Sequence, residues 1–241
     1  MIVKFASDLH LEFDTPKSVF KEESGDILIL AGDIVDGKLK GLDTLKYISS
    51  NFNHVIMIMG NHEHYRGRFD LTYNKLKNEL PNNIHLLEND IINIDGQRFL
   101  GCTLWTWMNE VDSYFAKVLM NDYRVKTKYK GIYRKLNPSD TIRCHLQSAL
   151  WLESNVKEDD IVVTHHAPSF LSCNPDYTGN TAYATDLSDI MLDCNPSHWI
   201  HGHLHTKISY KIGNTHVISN PMGYFGHEFK DQIFRFKEIT C

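Results

Sequence analysis

A chain of 241 residues, 42% of them hydrophobic, carries enough apolar side chain to bury one large core, and its formal net charge of −5 disfavours a dedicated binder of nucleic acid or of anionic membrane surfaces. Its five cysteines, Cys102, Cys144, Cys173, Cys194 and Cys241, form no CxxC pair and are odd in number, which argues against a disulfide framework and a thiolate zinc site and for a reducing compartment. No apolar stretch reaches the ~20 residues that span a bilayer. Asp8 interrupts a signal-peptide reading of the first residues, so the expected location is the cytoplasm.

Ile2-Val3-Lys4-Phe5-Ala6 alternates like a strand and runs into Ser7-Asp8-Leu9-His10. Residues two apart on an extended segment point the same way, which lets Asp8 and His10 converge on one atom. Ile27-Leu28-Ile29-Leu30-Ala31 is continuously apolar, the pattern of a strand covered on both faces, and Gly32-Asp33 closes it. Leu42, Leu45, Ile48 and Phe52 recur at helical spacing within 39–52. That predicts a helix returning the chain to a third strand over 55–59, closed by Gly60-Asn61-His62-Glu63. Strand, helix, strand with polar residues at every strand end is a βαβ pattern, and in such sheets ligands bind at the carboxyl edge.

Residues 70–80 predict a second helix stopped by Pro81. Three β-like runs follow at 84–87, 91–94 and 98–102, with Asp95-Gly96 as a hairpin turn, and read as a continuation of the same sheet. From about 105 to 138 the periodicity weakens, and six of the twelve residues from 124 to 135 are basic with none acidic. This insertion reads either as a solvated connector or as a cap that attracts an anionic substrate. A helix is predicted over 140–155 with Ser139 or Asp140 as its cap. The strand at 160–164 then delivers His165-His166, a Gly-, Asn- and Pro-containing loop covers 169–181, and a short helix lies near 186–193. Trp199-Ile200 leads into His201-Gly202-His203-Leu204-His205, and strands are expected at 208–210, 215–219 and 232–236.

Collected, the strand ends carry Asp8, His10, Asp33, Asn61, His62, His165, His203 and His205. Carboxylate, amide oxygen and imidazole without thiolate suit Mn²⁺, the preferred choice, or Fe, Zn²⁺, Co²⁺ or Ni²⁺. The set exceeds what one tetrahedral ion needs and fits two divalent metal ions that share a carboxylate.

Ser7-Asp8-Leu9-His10, Gly32-Asp33, Gly60-Asn61-His62-Glu63, Thr164-His165-His166 and Gly202-His203-Leu204-His205, in that order, resemble the five signature blocks of the calcineurin-like metallophosphoesterases, in particular their small bacterial-type members. The resemblance implies an α/β fold, a four-layer αββα sandwich of two mixed β-sheets flanked by helices, forming a single domain over 1–241 with the insertion at about 105–138. It implies Asp8, His10, Asp33 and His205 around one ion and Asp33, Asn61, His165 and His203 around the second, with His62 facing the scissile phosphate and His166 as a structural neighbour. Two divalent ions, two carboxylates and a bridging hydroxide leave about one positive charge for a phosphate anion. Ions ~3.5–4 Å apart lower the pKa of the shared water and aim it at phosphorus, while a protonated His62 stabilises the oxygens or supplies a proton.

In the calcineurin-type protein phosphatases an Asp three residues after the bridging Asp pairs with this His, so the resemblance assigns that role to Asp36. The phosphate-gripping Arg that follows it there is Gly37 here, which weighs against a Ser/Thr protein phosphatase. Arg66, Arg68 or the cluster at 124–135 are the available substitutes, although each fits a solvated surface charge as well. Ser219-Asn220-Pro221-Met222-Gly223-Tyr224 resembles a loop near the site in bacterial relatives, with Met222 where Arg often stands. The expected activity is hydrolysis of a phosphate ester, a small nucleotide-type phosphodiester ahead of a phosphomonoester, with a nuclease weaker still for want of basic surface. A non-catalytic metal-binding scaffold on the same fold is the alternative of another class, and the complete ligand set disfavours it.

Overall fold

The computed structural model describes residues 2–21, 23–124, 126–129, 132–175 and 180–240, with the side chains of 126–128 and 180 excepted. The chain runs β1 (Ile2–Ala6), β2 (Gly25–Ala31), α1 (Leu42–Ser49), β3 (Phe52–Ile58), α2 (Thr72–Glu79), β4 (Ile84–Leu87), β5 (Asp90–Ile94) and β6 (Gln97–Cys102). It continues through α3 (Glu110–Leu119), α4 (Asn121–Arg124), β7 (Lys126–Tyr129), β8 (Ile132–Lys135), α5 (Pro138–Asn155) and β9 (Ile161–Thr164). The remaining elements are α6 (Ser188–Cys194), β10 (His198–His201), β11 (Ser209–Ile212), β12 (Thr215–Ser219) and β13 (Lys237–Thr240).

Alternation along the strands decides which layer each side chain joins. Leu28 and Leu30 of β2 and Val55 and Met57 of β3 pack outward against Leu45 and Ile48 of α1 and Leu76 of α2. Their neighbours Ile27, Ile29, Ile56 and Ile58 point the other way, against Phe99, Ile161, Val163, Ile200 and Ile218. Beyond that layer Val162, Trp199 and Val217 face Leu152 of α5 and Met191 of α6. The result is the expected sandwich of two mixed sheets between helices. One sheet has the order β13-β1-β2-β3-β4, parallel except for β13. The other has the order β11-β12-β10-β9-β6-β5, with β11 and β5 as antiparallel edges.

The runs after residue 83 do not continue a single sheet. β4 pairs with β3, whereas β5 and β6 belong to the second sheet, so the chain changes layer across Glu88 and Asn89, the latter at a left-handed φ of 52°. Asp95 and Gly96 make the expected hairpin turn with φ of 51° and 88°. The run at 232–236 is irregular; Phe234 and Phe236 are buried against Phe20, and pairing with β1 begins only at Lys237. α5 starts at Pro138, two residues before the predicted helix, and the Asn137 N–H donates to the Asp140 carboxylate at 2.9 Å.

Among the described residues between 105 and 137 the chain forms α3, α4 and the paired strands β7 and β8. Trp105, Met108, Ala116, Tyr123 and Leu136 build an apolar cluster with Phe69 there. Arg134 is bound to Asp140 through two contacts of 2.7 and 2.9 Å and lies over the Tyr129 ring, so it is committed to structure. The side chains of Lys126 and Lys128, and Lys130 as a whole, lie outside the described residues. Among the described residues no helix is long and apolar enough to cross a membrane.

The sheets approach tightly at Gly101, where a Cβ would come within 2.7 Å of Ile58 Cγ2 and 2.9 Å of Leu87 Cβ. Substitution Gly101→Ala is expected to cost about 1–3 kcal/mol in a urea unfolding titration. A wild-type midpoint and slope would show that the layers have more slack than this packing allows.

Candidate metal centre

The parallel strands bring their carboxyl ends to one edge. Asp8 and His10 follow β1, Asp33 follows β2, Asn61 and His62 follow β3, His165 follows β9, and His203 and His205 follow β10. Five of these eight adopt left-handed backbone, Asp8 (53°), His10 (44°), Asp33 (57°), His203 (71°) and His205 (49°). Such a conformation costs roughly 1–3 kcal/mol for a non-glycine residue and is retained only where the surroundings impose it. Here it turns each side chain back toward a common point.

Backbone groups fix that point. Both oxygens of Asp8 accept the His203 N–H, at 2.9 and 3.1 Å, so a loop of one sheet is tied to a carboxylate of the other. Gly202 allows the approach, because a Cβ there would lie 2.7 Å from Asp8 Oδ2. Asp33 Oδ1 accepts the His62 N–H at 2.8 Å. Glu63, fully buried, accepts N–H groups from Asp33 (3.1 Å), Ile34 (2.7 Å), Val35 (3.1 Å) and Gly60 (2.6 Å), clamping the ends of β2 and β3 together. Burial, and then Asp33, push the Glu63 carboxyl up, while three of these N–H groups, those of Gly60, Ile34 and Val35, work against that shift. Its one sequence signal is its place at the end of the Gly60–Glu63 block, which by itself assigns it no role.

The imidazoles are oriented through their Nδ1 atoms. His165 Nδ1 donates to the Ala31 carbonyl at 3.0 Å, His205 Nδ1 to Glu228 at 2.7 Å, and His10 Nδ1 meets Glu12 at 3.3 Å. Their Nε2 atoms therefore converge. His10 Nε2 lies 3.0 Å from His205 Nε2 and 3.8 Å from Asp33 Oδ2, and His205 Nε2 lies 3.6 Å from Asp8 Oδ1. On the other side of Asp33, His165 Nε2 is 3.4 Å from its Oδ1 and 3.0 Å from Asn61 Oδ1. Asn61 Nδ2 donates to the Tyr65 hydroxyl at 3.1 Å, which keeps the amide oxygen facing inward. His166, by contrast, faces the Thr103 carbonyl at 3.2 Å and packs on Trp105, and burial lowers its pKa to about 3.

His62 does not pair with Asp36. Its Nδ1 meets Glu12 Oε1 at 2.7 Å, while Asp36 Oδ1 accepts the N–H groups of Lys38 (3.0 Å) and Lys40 (2.8 Å) and its Oδ2 lies 3.2 Å from Arg66 Nε. The chain after Asp36 winds back on that carboxylate, and the left-handed His10 carries Glu12 to His62 instead. Burial alone would lower the His62 pKa, but the Asp33 carboxylate and the Glu12 hydrogen bond outweigh it and raise it to about 9. The only hint in the sequence is an acid two residues after His10.

Residues 1–207 match the family model of the calcineurin-like phosphoesterases. The chain belongs to that family. Protein L509 of Acanthamoeba polyphaga mimivirus, itself uncharacterised, is 30% identical over an alignment 261 positions long, covering 94% of this chain and 92% of the viral protein. A 72-residue stretch is 38% identical to an uncharacterised metallophosphoesterase of Aquifex aeolicus (strain VF5), covering 26% and 28% of the two chains. Among solved structures, the phosphopantetheinyl hydrolase of Mycobacterium tuberculosis superposes with a TM-score of 0.69 at 17% identity, covering 92% of this chain and 89% of that one. The protein TT1561 of Thermus thermophilus superposes at 0.52 with 10% identity, covering 92% and 88%. These structural likenesses show the fold, and the family match makes the protein a phosphoric ester hydrolase.

The donors of this phosphoesterase fit the divalent ions its family implies. Asp8, His10 and His205 form one group of converging ligand atoms and Asp33, His165 and His203 another. His203 Nε2 is buried without a hydrogen-bond partner, a costly arrangement that a cation relieves. Glu63→Gln, which keeps the size but puts an amide among four N–H donors, is expected to destabilise the fold by roughly 2–3 kcal/mol and to lower bound metal. Full metal content and unchanged unfolding would remove Glu63 from the architecture of the centre.

Proposed function

We propose that the centre holds two divalent ions, Asp8, His10, Asp33 and His205 around one and Asp33, Asn61, His165 and His203 around the other, and that the enzyme cleaves a small phosphodiester of nucleotide type. The observation that supports this most is the placement of Asp33: its Oδ2 faces His10 and its Oδ1 faces His165, so one carboxylate borders both ligand groups. Ions so held, Mn²⁺ being the first choice for an oxygen- and imidazole-rich set, supply a Lewis acid for phosphoryl oxygens and acidify water. The free thiols Cys102, Cys144, Cys173 and Cys194 suit a reducing compartment such as the cytoplasm.

The protein's own part centres on His62. Glu12 accepts a hydrogen bond from His62 Nδ1–H, which holds the ring in one orientation and keeps it charged, leaving Nε2–H for the substrate. His62 Nε2 lies 4.0 Å from Asp33 Oδ2, and His62 lines a cavity of about 550 Å³ whose other walls include Phe13, Tyr65 and Tyr224. Three aromatic rings beside a site for phosphate suit a planar group such as a nucleobase, which is what favours a nucleotide-type ester. A positive His62 stabilises charge on the phosphoryl oxygens or protonates the departing oxygen.

Substitution His62→Ala is expected to keep both ions by metal analysis and to lower turnover of bis-(p-nitrophenyl) phosphate by roughly 10²–10⁴. Wild-type turnover in this variant would remove His62 from the chemistry. A protonated His62 is lost as pH rises through its pKa, so Glu12→Gln, which removes a group that raises that pKa, moves the alkaline limb of the pH–rate profile to lower pH. Asp36→Asn leaves that limb in place, and the opposite ranking of the two variants would restore the Asp36 assignment.

A further inference from the structure

The cavity beside His62 has a neighbour. Across Arg66 lies a second groove of about 360 Å³, and Arg66 lines both. The second groove is bounded by Lys38, Arg66, Arg68 and Lys75, with Gly67 and Thr72 between them. Two of the four cations have a carboxylate partner, Arg66 with Asp36 at 3.2 Å and Arg68 with Asp70 at 3.7 Å, so the groove's residues and these partners together carry a surplus of two positive charges on a chain whose net charge is −5.

The groove is also built rather than merely basic. Asp36 is 1% exposed and sits under Arg66, holding its Nε at 3.2 Å without an aligned hydrogen bond to Oδ2. With Nε turned to Asp36, the two terminal nitrogens of the guanidinium remain, the fork that chelates a phosphate. Among the described residues no other carboxylate pairs with Arg66. Its backbone is left-handed, with φ of 61°, in the turn that carries the chain from His62 toward α2. Lys75 Nζ donates to the Gly37 carbonyl at 2.9 Å, so α2 is tied to the loop that presents Lys38.

We propose that this groove is a second anion site, and that the substrate is a nucleotide ester bearing a further phosphate, which rests on Arg66 and its neighbouring lysines while the reacting phosphate lies at His62. The inference rests on the hydrolase reading above and narrows its substrate to a diphosphate-bearing class. Arg66 is then the specificity-determining residue, and Asp36 positions it. This gives Asp36 a task that its failure to reach His62 left open.

The test is equilibrium binding of ADP and AMP by isothermal titration calorimetry on the Mn²⁺-loaded protein, and again on the chelated protein, with the variants Arg66→Met and Lys75→Met. The loaded wild type is expected to bind ADP roughly 10-fold tighter than AMP, as one charge-assisted phosphate contact supplies. Arg66→Met should bring the two within about twofold, Lys75→Met should narrow the gap, and rising salt should weaken ADP more than AMP. In the chelated protein the wild type should still bind ADP more tightly than Arg66→Met does. Equal affinity for ADP and AMP in the wild type, a preference that survives Arg66→Met, or one that disappears with the metal would each overturn the groove. Because binding needs no turnover, these outcomes are separate from inactivity toward bis-(p-nitrophenyl) phosphate, which would overturn the hydrolase reading instead.

Discussion

One buried carboxylate, Asp33, stands between two groups of imidazoles, and the construction around it depends on keeping that carboxylate ionised and immobile. Burial alone would drive it neutral; His165, His62 and His10 more than offset this and hold it well below the usual carboxylate range. Immobility comes from below, where Glu63 binds the Asp33 N–H together with those of Ile34, Val35 and Gly60. The clamp joins the ends of β2 and β3 before any ligand side chain is considered. A cation on either side of Asp33 would take over the charge balance that the imidazoles otherwise supply, where His10 Nε2 and His205 Nε2 approach to 3.0 Å.

The second constraint is the meeting of two sheets. Candidate ligands from β1, β2 and β3 and candidate ligands from β9 and β10 meet only because the carboxyl edges of the two sheets coincide. The Asp8 to His203 backbone contact, with Gly202 at the point of touch, couples them. Left-handed backbone at five candidate ligand positions is the cost of aiming side chains inward from strands that end in parallel. Packing of the three apolar layers supplies the compensating stability.

Much of this was readable in the chain because the pattern is local. Apolar runs such as 27–31 and 55–59 end in Gly followed by polar residues, and alternation within them separates outer from inner layer before any contact is known. Other features were not local. The layer change at Glu88 and Asn89 depends on which strand pairs with which, and nothing in the runs at 84–87 and 91–94 encodes a partner. Phe234 and Phe236 look like strand residues and are buried like them, but the register of β1 leaves them unpaired. The family resemblance implies Asp36 as the partner of His62, whereas its carboxylate is used by the loop that follows it. Glu12 reaches His62 through a backbone turn at His10 that no residue type announces. The strand-end residues could be collected from sequence; the carboxylates and hydroxyls that hold them, Glu12, Glu63, Tyr65 and Glu228, required coordinates.

The most direct test of the account is a crystal structure of the Mn²⁺-soaked protein with anomalous data collected at the manganese edge. Two anomalous peaks are predicted, one on each side of the Asp33 carboxylate, the first within bonding distance of His10 and the second of His165. A single peak, or two peaks that do not share Asp33, would contradict it.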